Sequence, residues 1–201
     1  MKYLATPQRL YAWMLMDVQR PRLVGEIAAQ SNGDVGLVYD PAWLAQGFAL
    51  SEDMPLEAMR FTPVHRLGRQ SAAPGALDDA RPDRWGEKVI RYLYKPAASV
   101  FEHLYFAGDE RFGAVGVSSS PASYQPFMQR PLPRLEDAQA LSDAVQIIES
   151  GEGELQIRQR ALLSTGGSLG GAKPKAVIAI NDEEWVLKFY SGEPVAQPLI
   201  E

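Results

Sequence analysis

Three apolar stretches separated by polar turns open the chain. Residues 10–16 run Leu-Tyr-Ala-Trp-Met-Leu-Met without a charge, and a run this short between polar flanks predicts a buried strand. Arg22–Ala29 and Val35–Tyr39 follow as two further strands. Between them Gln30-Ser-Asn-Gly-Asp34 carries Asn-Gly and Gly-Asp, strong hairpin punctuation. Pro41-Ala-Trp-Leu44 predicts a helical turn after Asp40, with proline at the first helical position. Residues 48–50 and 61–63 read as short strands. The first third is therefore expected to be a small, mostly β unit.

The period then changes. Pro74-Gly75 and Asp78-Asp79 mark a loop, and a helix begins near Pro82. Asp83 and Glu87 lie early in it and Lys88, Arg91 and Lys95 late, the charge order that a helix dipole favours. Trp85, Val89, Ile90 and Leu93 recur at helical spacing as its buried stripe. Ser99 caps a second helix to residue 106, and residues 113–117 form a short strand. Residues 118–133 hold four prolines and four serines, so regular structure should not run through them. Residues 135–150 form an amphipathic helix with Leu135, Ala138, Leu141, Ala144, Val145 and Ile148 on one face, stopped by Gly151-Glu-Gly153. Residues 155–163 are a further helical piece. Residues 176–180 and 185–190 pair as strands around Asn181–Glu184. The pattern makes this an α+β chain in two parts, 1–117 and 135–201, joined by a linker at 118–134.

Composition narrows the chemistry. The 201 residues are 46% hydrophobic and 22% charged, ordinary for a folded domain that buries a core. A net charge of −5 argues against broad binding to nucleic acid. The absence of cysteine excludes disulfides, thiolate metal sites and cysteine nucleophiles. Two histidines, His65 and His103, lie far apart, which disfavours a histidine-rich zinc site. No apolar run approaches the roughly 18 residues of a membrane span, and the N-terminus lacks a signal-peptide pattern. The expectation is a cytoplasmic protein.

The chemistry concentrates in Ser164-Thr-Gly-Gly-Ser-Leu-Gly-Gly-Ala-Lys-Pro-Lys175, followed by Glu184-Trp-Val-Leu-Lys-Phe189. Glycines let backbone N–H groups turn toward an anion without a side chain in the way. The loop lacks the Gly-Lys-Ser/Thr ending of a Walker motif. The dinucleotide spacing fails as well, because Ser168 stands two residues after Gly166. What remains is a glycine loop before a strand pair whose later strand carries Lys188, the arrangement kinase small lobes use to cover phosphates and pair a lysine with them. On spacing alone, a surface loop followed by a strand with a solvated lysine is the favoured reading. Asp78-Asp79 and Asp182-Glu-Glu184 read as turn carboxylates, Asp83 as a helix-end carboxylate, Trp85 as a core residue, and His65 and His103 as structural.

Several motifs in succession shift that balance. Val24-Gly-Glu26, Val38-Tyr39 with Trp43-Leu44, Ala49-Leu-Ser51, Met54-Pro-Leu56, Ala80-Arg-Pro-Asp-Arg-Trp-Gly86, Arg111-Phe-Gly-Ala-Val-Gly116, Ser168-Leu-Gly-Gly-Ala-Lys-Pro-Lys175 and Leu187-Lys188-Phe189 follow one another in order. This series resembles the N-terminal portion of the HipA family of bacterial toxin kinases, with Arg81 where the family usually has leucine. The resemblance implies an N-terminal HipA-like β subdomain followed by the start of a kinase-like small lobe. It implies a serine/threonine protein kinase of a toxin–antitoxin system, using ATP and Mg2+. Its partners would be a small DNA-binding antitoxin of the HipB type and a protein substrate of the aminoacyl-tRNA synthetase type, with no direct DNA or membrane binding.

Carried over residue by residue, Gly166, Gly167, Ser168, Gly170, Gly171, Ala172, Lys175 and Lys188 would form the ATP site. Ser168 would be autophosphorylated, and Glu201 would be an ion-pair partner of Lys188. The family's catalytic aspartate and its metal-binding asparagine and aspartate lie in a C-terminal lobe that has no counterpart among these residues. No catalytic or metal-binding residue is therefore assigned, and the expectation is that this chain alone gives no kinase turnover. The competing reading is a truncated, non-catalytic regulator or antitoxin-like binding protein.

Overall fold

A computed structural model of the chain describes residues 6–63, 72–94, 99–109, 111, 113–127, 131–166 and 173–190. Its N-terminal half is an antiparallel sheet of five strands, β1 (Leu10–Met14), β2 (Arg22–Ala29), β3 (Val35–Tyr39), β4 (Arg60–Phe61) and β5 (Val115–Ser118), in the order β4-β3-β2-β1-β5. The turn between β2 and β3 forms where Asn-Gly predicts it. Gly33 takes φ 88°, and the Gln30 N–H donates to the Asp34 carbonyl at 2.8 Å. Gly25 faces Tyr39 across the β2–β3 pair, where a Cβ would stand only 2.1 Å from the Val38 carbonyl oxygen, so only glycine fits.

β1 ends two residues before the apolar run does. The Arg20 N–H donates to the Asp17 carbonyl and the Gln19 N–H to its carboxylate, both at 3.0 Å, and this turn carries Met16 and Val18 into solvent at 75% and 71% exposure. Residues 48–50 are not a strand. They run as irregular chain held by the Tyr39 hydroxyl, which accepts from the Leu50 N–H at 3.1 Å and donates to the Met54 carbonyl at 2.7 Å. Of the expected strand at 61–63, only Phe61 belongs to β4.

Helix α1 (Pro41–Gln46) is capped by Asp40, whose carboxylate accepts from the Ala42 N–H at 2.8 Å. A short helix, α2 (Gly75–Asp79), occupies the segment expected to be a loop. Pro74 supplies the extended entry, and Asp53 holds the Gly75 N–H at 2.9 Å. Helix α3 (Arg84–Leu93) starts at Asp83, which accepts from the N–H groups of Trp85 and Gly86. Helix α4 (Val100–Phe106) starts at a reciprocal Ser99–Glu102 capping box. The sheet, α1, α2 and α4 close over a core that includes Leu10, Ile27, Leu37, Trp43, Leu77 and Leu104. Each such large side chain contributes about 1.5–3 kcal/mol by burial.

A second core lies beyond the proline-rich segment. Helix α5 (Ala138–Ser150), helix α6 (Ile157–Gly166) and a hairpin of β6 (Lys175–Ile180) and β7 (Glu183–Lys188) bury Leu141, Val145, Ile148, Leu163, Ala176 and Ile178 together. Trp85, Val89 and Leu93 of α3 complete this core, although they precede the proline-rich segment in sequence. Leu135 does not share the buried face of α5. It sits in a 3₁₀ turn (Leu135–Asp137) and is 56% exposed, because the tighter turn rotates it out of the helix phase. Gly151 ends α5 with φ 73°, its N–H donating to the Ile147 carbonyl at 3.0 Å.

Helix α6 runs on through Ser164, Thr165 and Gly166, which the sequence assigned to the glycine loop. The buried Leu163 anchors this last turn, and the hydroxyls of Ser164 and Thr165 donate back to the carbonyls of Ala161 and Leu162. The β6–β7 turn is the two residues Asn181 and Asp182, with φ 51° and 64°, rather than the four expected. Positive φ at both positions matches the twist of the hairpin and shifts β7 two residues toward the N-terminus.

Candidate functional site

The two-residue turn fixes the hairpin register, and the register brings the two candidate lysines together. Lys175 stands directly opposite Lys188, Val177 opposite Val186 and Ala179 opposite Glu184. Opposed residues of an antiparallel pair share a face, so both ammonium groups rise from one side of the hairpin. The ladder continues one step further, with the Phe189 N–H donating to the Pro174 carbonyl at 3.0 Å. Pro174 thus holds the chain straight where the glycine loop would feed into β6.

Three contacts position this hairpin. The indole N–H of the buried Trp85 donates to the Lys175 carbonyl at 3.1 Å and pins β6 to α3. The Ala179 N–H donates to the Pro133 carbonyl at 2.7 Å, and Arg134 bridges Ala179, so the end of the proline-rich segment covers the outer edge of β6. On the other face Leu187 and Phe189 pack toward the second core. Lys175 is half-buried and Lys188 exposed. Burial raises the Asp83 carboxyl above its usual range; the N–H bonds from Gly86 and Trp85 and the charge of Lys175 oppose the rise without cancelling it.

Lys188 also borders a cleft of about 570 Å³ between the end of β7 and α5. Phe189, Tyr190 and Val145 give it an apolar lining, and Ser142, Gln146 and Glu149 a polar one. The cleft thus offers a cation and a carboxylate beside a surface that an aromatic ring can cover. Gly166 ends α6. Gly167, Ser168, Gly170, Gly171, Ala172 and Glu201 lie outside the described residues, as does His65.

The motif around Trp85 holds a network that spacing did not reveal. The Arg81 guanidinium forks to Asp78 and Glu87, both at 2.6 Å, and the buried His103 lies with Nδ1 3.4 Å from the same Glu87 oxygen. Burial alone would raise the Glu87 carboxyl, but the close approach of the His103 ring and the hydrogen bond and charge of Arg81 outweigh it and hold it at about 2. Arg81 therefore ties α2 to α3 and, through Glu87, to α4. Arg111 makes a similar tie, donating to the carbonyls of Gly108, Ala80 and Leu104. Burial lowers its guanidinium to about 10, although the nearby Asp109 carboxylate, bonded by the Tyr124 hydroxyl, opposes the shift. These groups brace the region that carries Trp85. Partners 6 and 16 residues from Glu87 follow no helical or strand period, so spacing carries no signal for them.

Among the described residues no group of three or more histidine, aspartate or glutamate side chains could hold a metal ion. No helix among them is long and apolar enough to cross a membrane. No curated protein matches the chain in sequence. A family profile described as HipA N-terminal domain matches residues 18–118, a span that takes in β2–β5 and α1–α4. By that match, which spans half of the chain, it belongs to the HipA family, of which it carries the N-terminal portion.

Proposed function

We propose that this chain is the N-terminal part of a HipA-like serine/threonine-protein kinase toxin and contributes the phosphate-holding half of an ATP site. The single observation that supports the reading most is the direct opposition of Lys175 and Lys188 on one face of the hairpin. Like charges opposed across a sheet repel, and a polyphosphate between them relieves that repulsion. The glycine loop leads straight into this pair and would add backbone N–H donors. The aromatic-lined cleft beside Lys188 has the chemistry to receive the base. ATP would supply the phosphoryl group. This chain's own residues bind and orient it, while Mg2+ coordination and proton acceptance are left to the rest of a kinase. In the toxin–antitoxin context that the family implies, a HipB-like antitoxin and a synthetase-type substrate are the corresponding partners.

Calorimetric titration with a non-hydrolysable ATP analogue tests this. The wild-type chain should bind, and Lys175→Ala and Lys188→Ala should each weaken binding about tenfold or more, the loss expected for one charge-assisted hydrogen bond. Unchanged affinity in both variants would sink the reading. One observation favours the regulator reading instead: the family match ends before the glycine loop. That reading predicts no nucleotide binding by the wild-type chain, with partner binding intact.

A further inference from the structure

The turn between β2 and β3 carries a chemical property that its role as a hairpin connector leaves unused. We infer that Asn32-Gly33 is a site of spontaneous covalent modification, at which the Gly33 backbone nitrogen closes on the Asn32 carboxamide, expels ammonia and leaves aspartate or isoaspartate in the turn. The Asn32 side chain is held at both ends by the residue after Gly33. Its Oδ1 accepts from the Asp34 N–H at 3.1 Å, and its Nδ2 donates to the Asp34 carboxylate at 2.6 Å. Two bonds from residue 32 to residue 34 fold the carboxamide back over the Gly33 peptide between them. Gly33 has no side chain to hinder ring closure. Asn32 and Gly33 are exposed, so water reaches the group.

Each bond that Asn32 makes suits one part of the step. In ring closure the lone pair of the Gly33 nitrogen forms a bond to Asn32 Cγ, and negative charge gathers on Oδ1, where the Asp34 N–H already donates. The Asp34 carboxylate, within hydrogen-bond distance of the leaving nitrogen, takes the proton released by Gly33 and returns it to Nδ2. The Cγ–Nδ2 bond then breaks and ammonia departs, with proton and charge balanced. Water opens the cyclic imide at either carbonyl. One opening gives aspartate, and the other gives isoaspartate, which carries an extra backbone carbon through the turn. One bond opposes the step, since the Gly33 N–H donates to the Gln30 carbonyl at 3.0 Å and must leave it first. That bond lies at the tip of the hairpin, where local opening costs least. The bonds from Asn32 to Asp34 do not depend on it, so opening frees the nucleophile while the carboxamide stays held. Asn181 is the chain's other asparagine and is followed by Asp182, whose side chain hinders closure. It serves as an internal control.

Ageing the full 201-residue chain in mildly alkaline buffer tests this, with peptide mass mapping and enzymatic methylation of isoaspartate as the readouts. The wild type should lose the Asn32 amide and gain isoaspartate there well before Asn181 changes. Asp34→Asn keeps the backbone N–H and the size of the side chain but removes the base, and should slow conversion at Asn32 about tenfold or more. Asp34→Ser gives the same comparison with a second side chain that lacks a carboxylate. Fragmentation of the peptide separates Asn32 from the substituted position, and circular dichroism confirms that each variant is folded. In urea the held geometry is gone, and wild type and variants should convert at similar rates. A wild type that keeps the Asn32 amide as long as that of Asn181 overturns the proposal. So do folded Asp34 variants that convert at the wild-type rate. An equal gap between wild type and variants in buffer and in urea also overturns it, since the turn would then contribute nothing.

Discussion

The five-stranded sheet and the β6–β7 hairpin are written in similar residues and end in opposite circumstances. Both have β-branched and aromatic strands joined by tight turns. In the sheet, Leu10, Val24, Ile27, Val35 and Leu37 are completely buried, because helices α1, α2 and α4 cover that face. In the hairpin, β6 is buried while β7 leaves Trp185 and Val186 half in solvent. A strand pattern states that a face is apolar; only the number of covering elements decides whether it is stable without a partner. The larger unit has its apolar face covered, and among the described residues the smaller one leaves most of β7 exposed to solvent.

The largest expected effect breaks the finished side of that contrast. Ile27→Ala or Leu37→Ala, at fully buried positions, should cost about 2–5 kcal/mol in urea unfolding. Val186→Ala in the exposed strand should change monomer stability by about 0.5 kcal/mol or less. A comparable loss at both positions would erase the distinction between the two regions.

The next effect concerns the bracing of α2, α3 and α4. Arg81→Leu removes the guanidinium from Asp78 and Glu87 and leaves carboxylates and a buried His103 without their cation. It should cost about 1–3 kcal/mol at neutral pH. The pH dependence has a defined sign. The folded carboxyl of Glu87 sits at about 2, below its ordinary 4.5, so its contribution is fully present above pH 4.5 and is lost as pH falls toward 2. Because the group is only half-buried, the loss should be about 1–2 kcal/mol rather than the full value of the shift. Urea midpoints of wild type and Arg81→Leu should converge across that window, and parallel curves would show that Glu87 is not what titrates.

The smallest effect sharpens the hairpin side. Asp182 holds φ 64° in a two-residue turn, where Asn-Gly is the favoured pair. Asp182→Gly should raise stability by about 0.5 kcal/mol, read as a small upward shift in thermal midpoint. A decrease would mean that the Asp182 side chain holds the turn by a contact of its own.

The boundaries of β2 and β3 were legible because apolar runs and an Asn-Gly turn agree, and Asp40 and Ser99 announced two helix starts; the helix expected from near Pro82 starts at Arg84, with Asp83 as its cap rather than inside it. Helix α2 was hidden because Pro74-Gly75 reads as a loop, yet it is a helix start when Asp53, more than twenty residues away, holds the first N–H. Leu135 fell out of phase for want of a signal separating 3₁₀ from α geometry. In the candidate site both lysines were identified singly. Their opposition followed only from the two-residue turn, and counting outward from Asn181-Asp182 would have found it. The Arg81–Glu87–His103 network was illegible, since burial makes it and sequence spacing does not encode burial.

The central claim is that the paired lysines of the hairpin hold phosphates. Comparing the affinities of ATP and adenosine on the same protein tests it most directly. The wild-type chain should prefer ATP by about tenfold or more, and Lys175→Ala/Lys188→Ala should bring the two ligands to nearly equal affinity. Equal affinity in the wild type, or a preference that survives the loss of both ammonium groups, would contradict it.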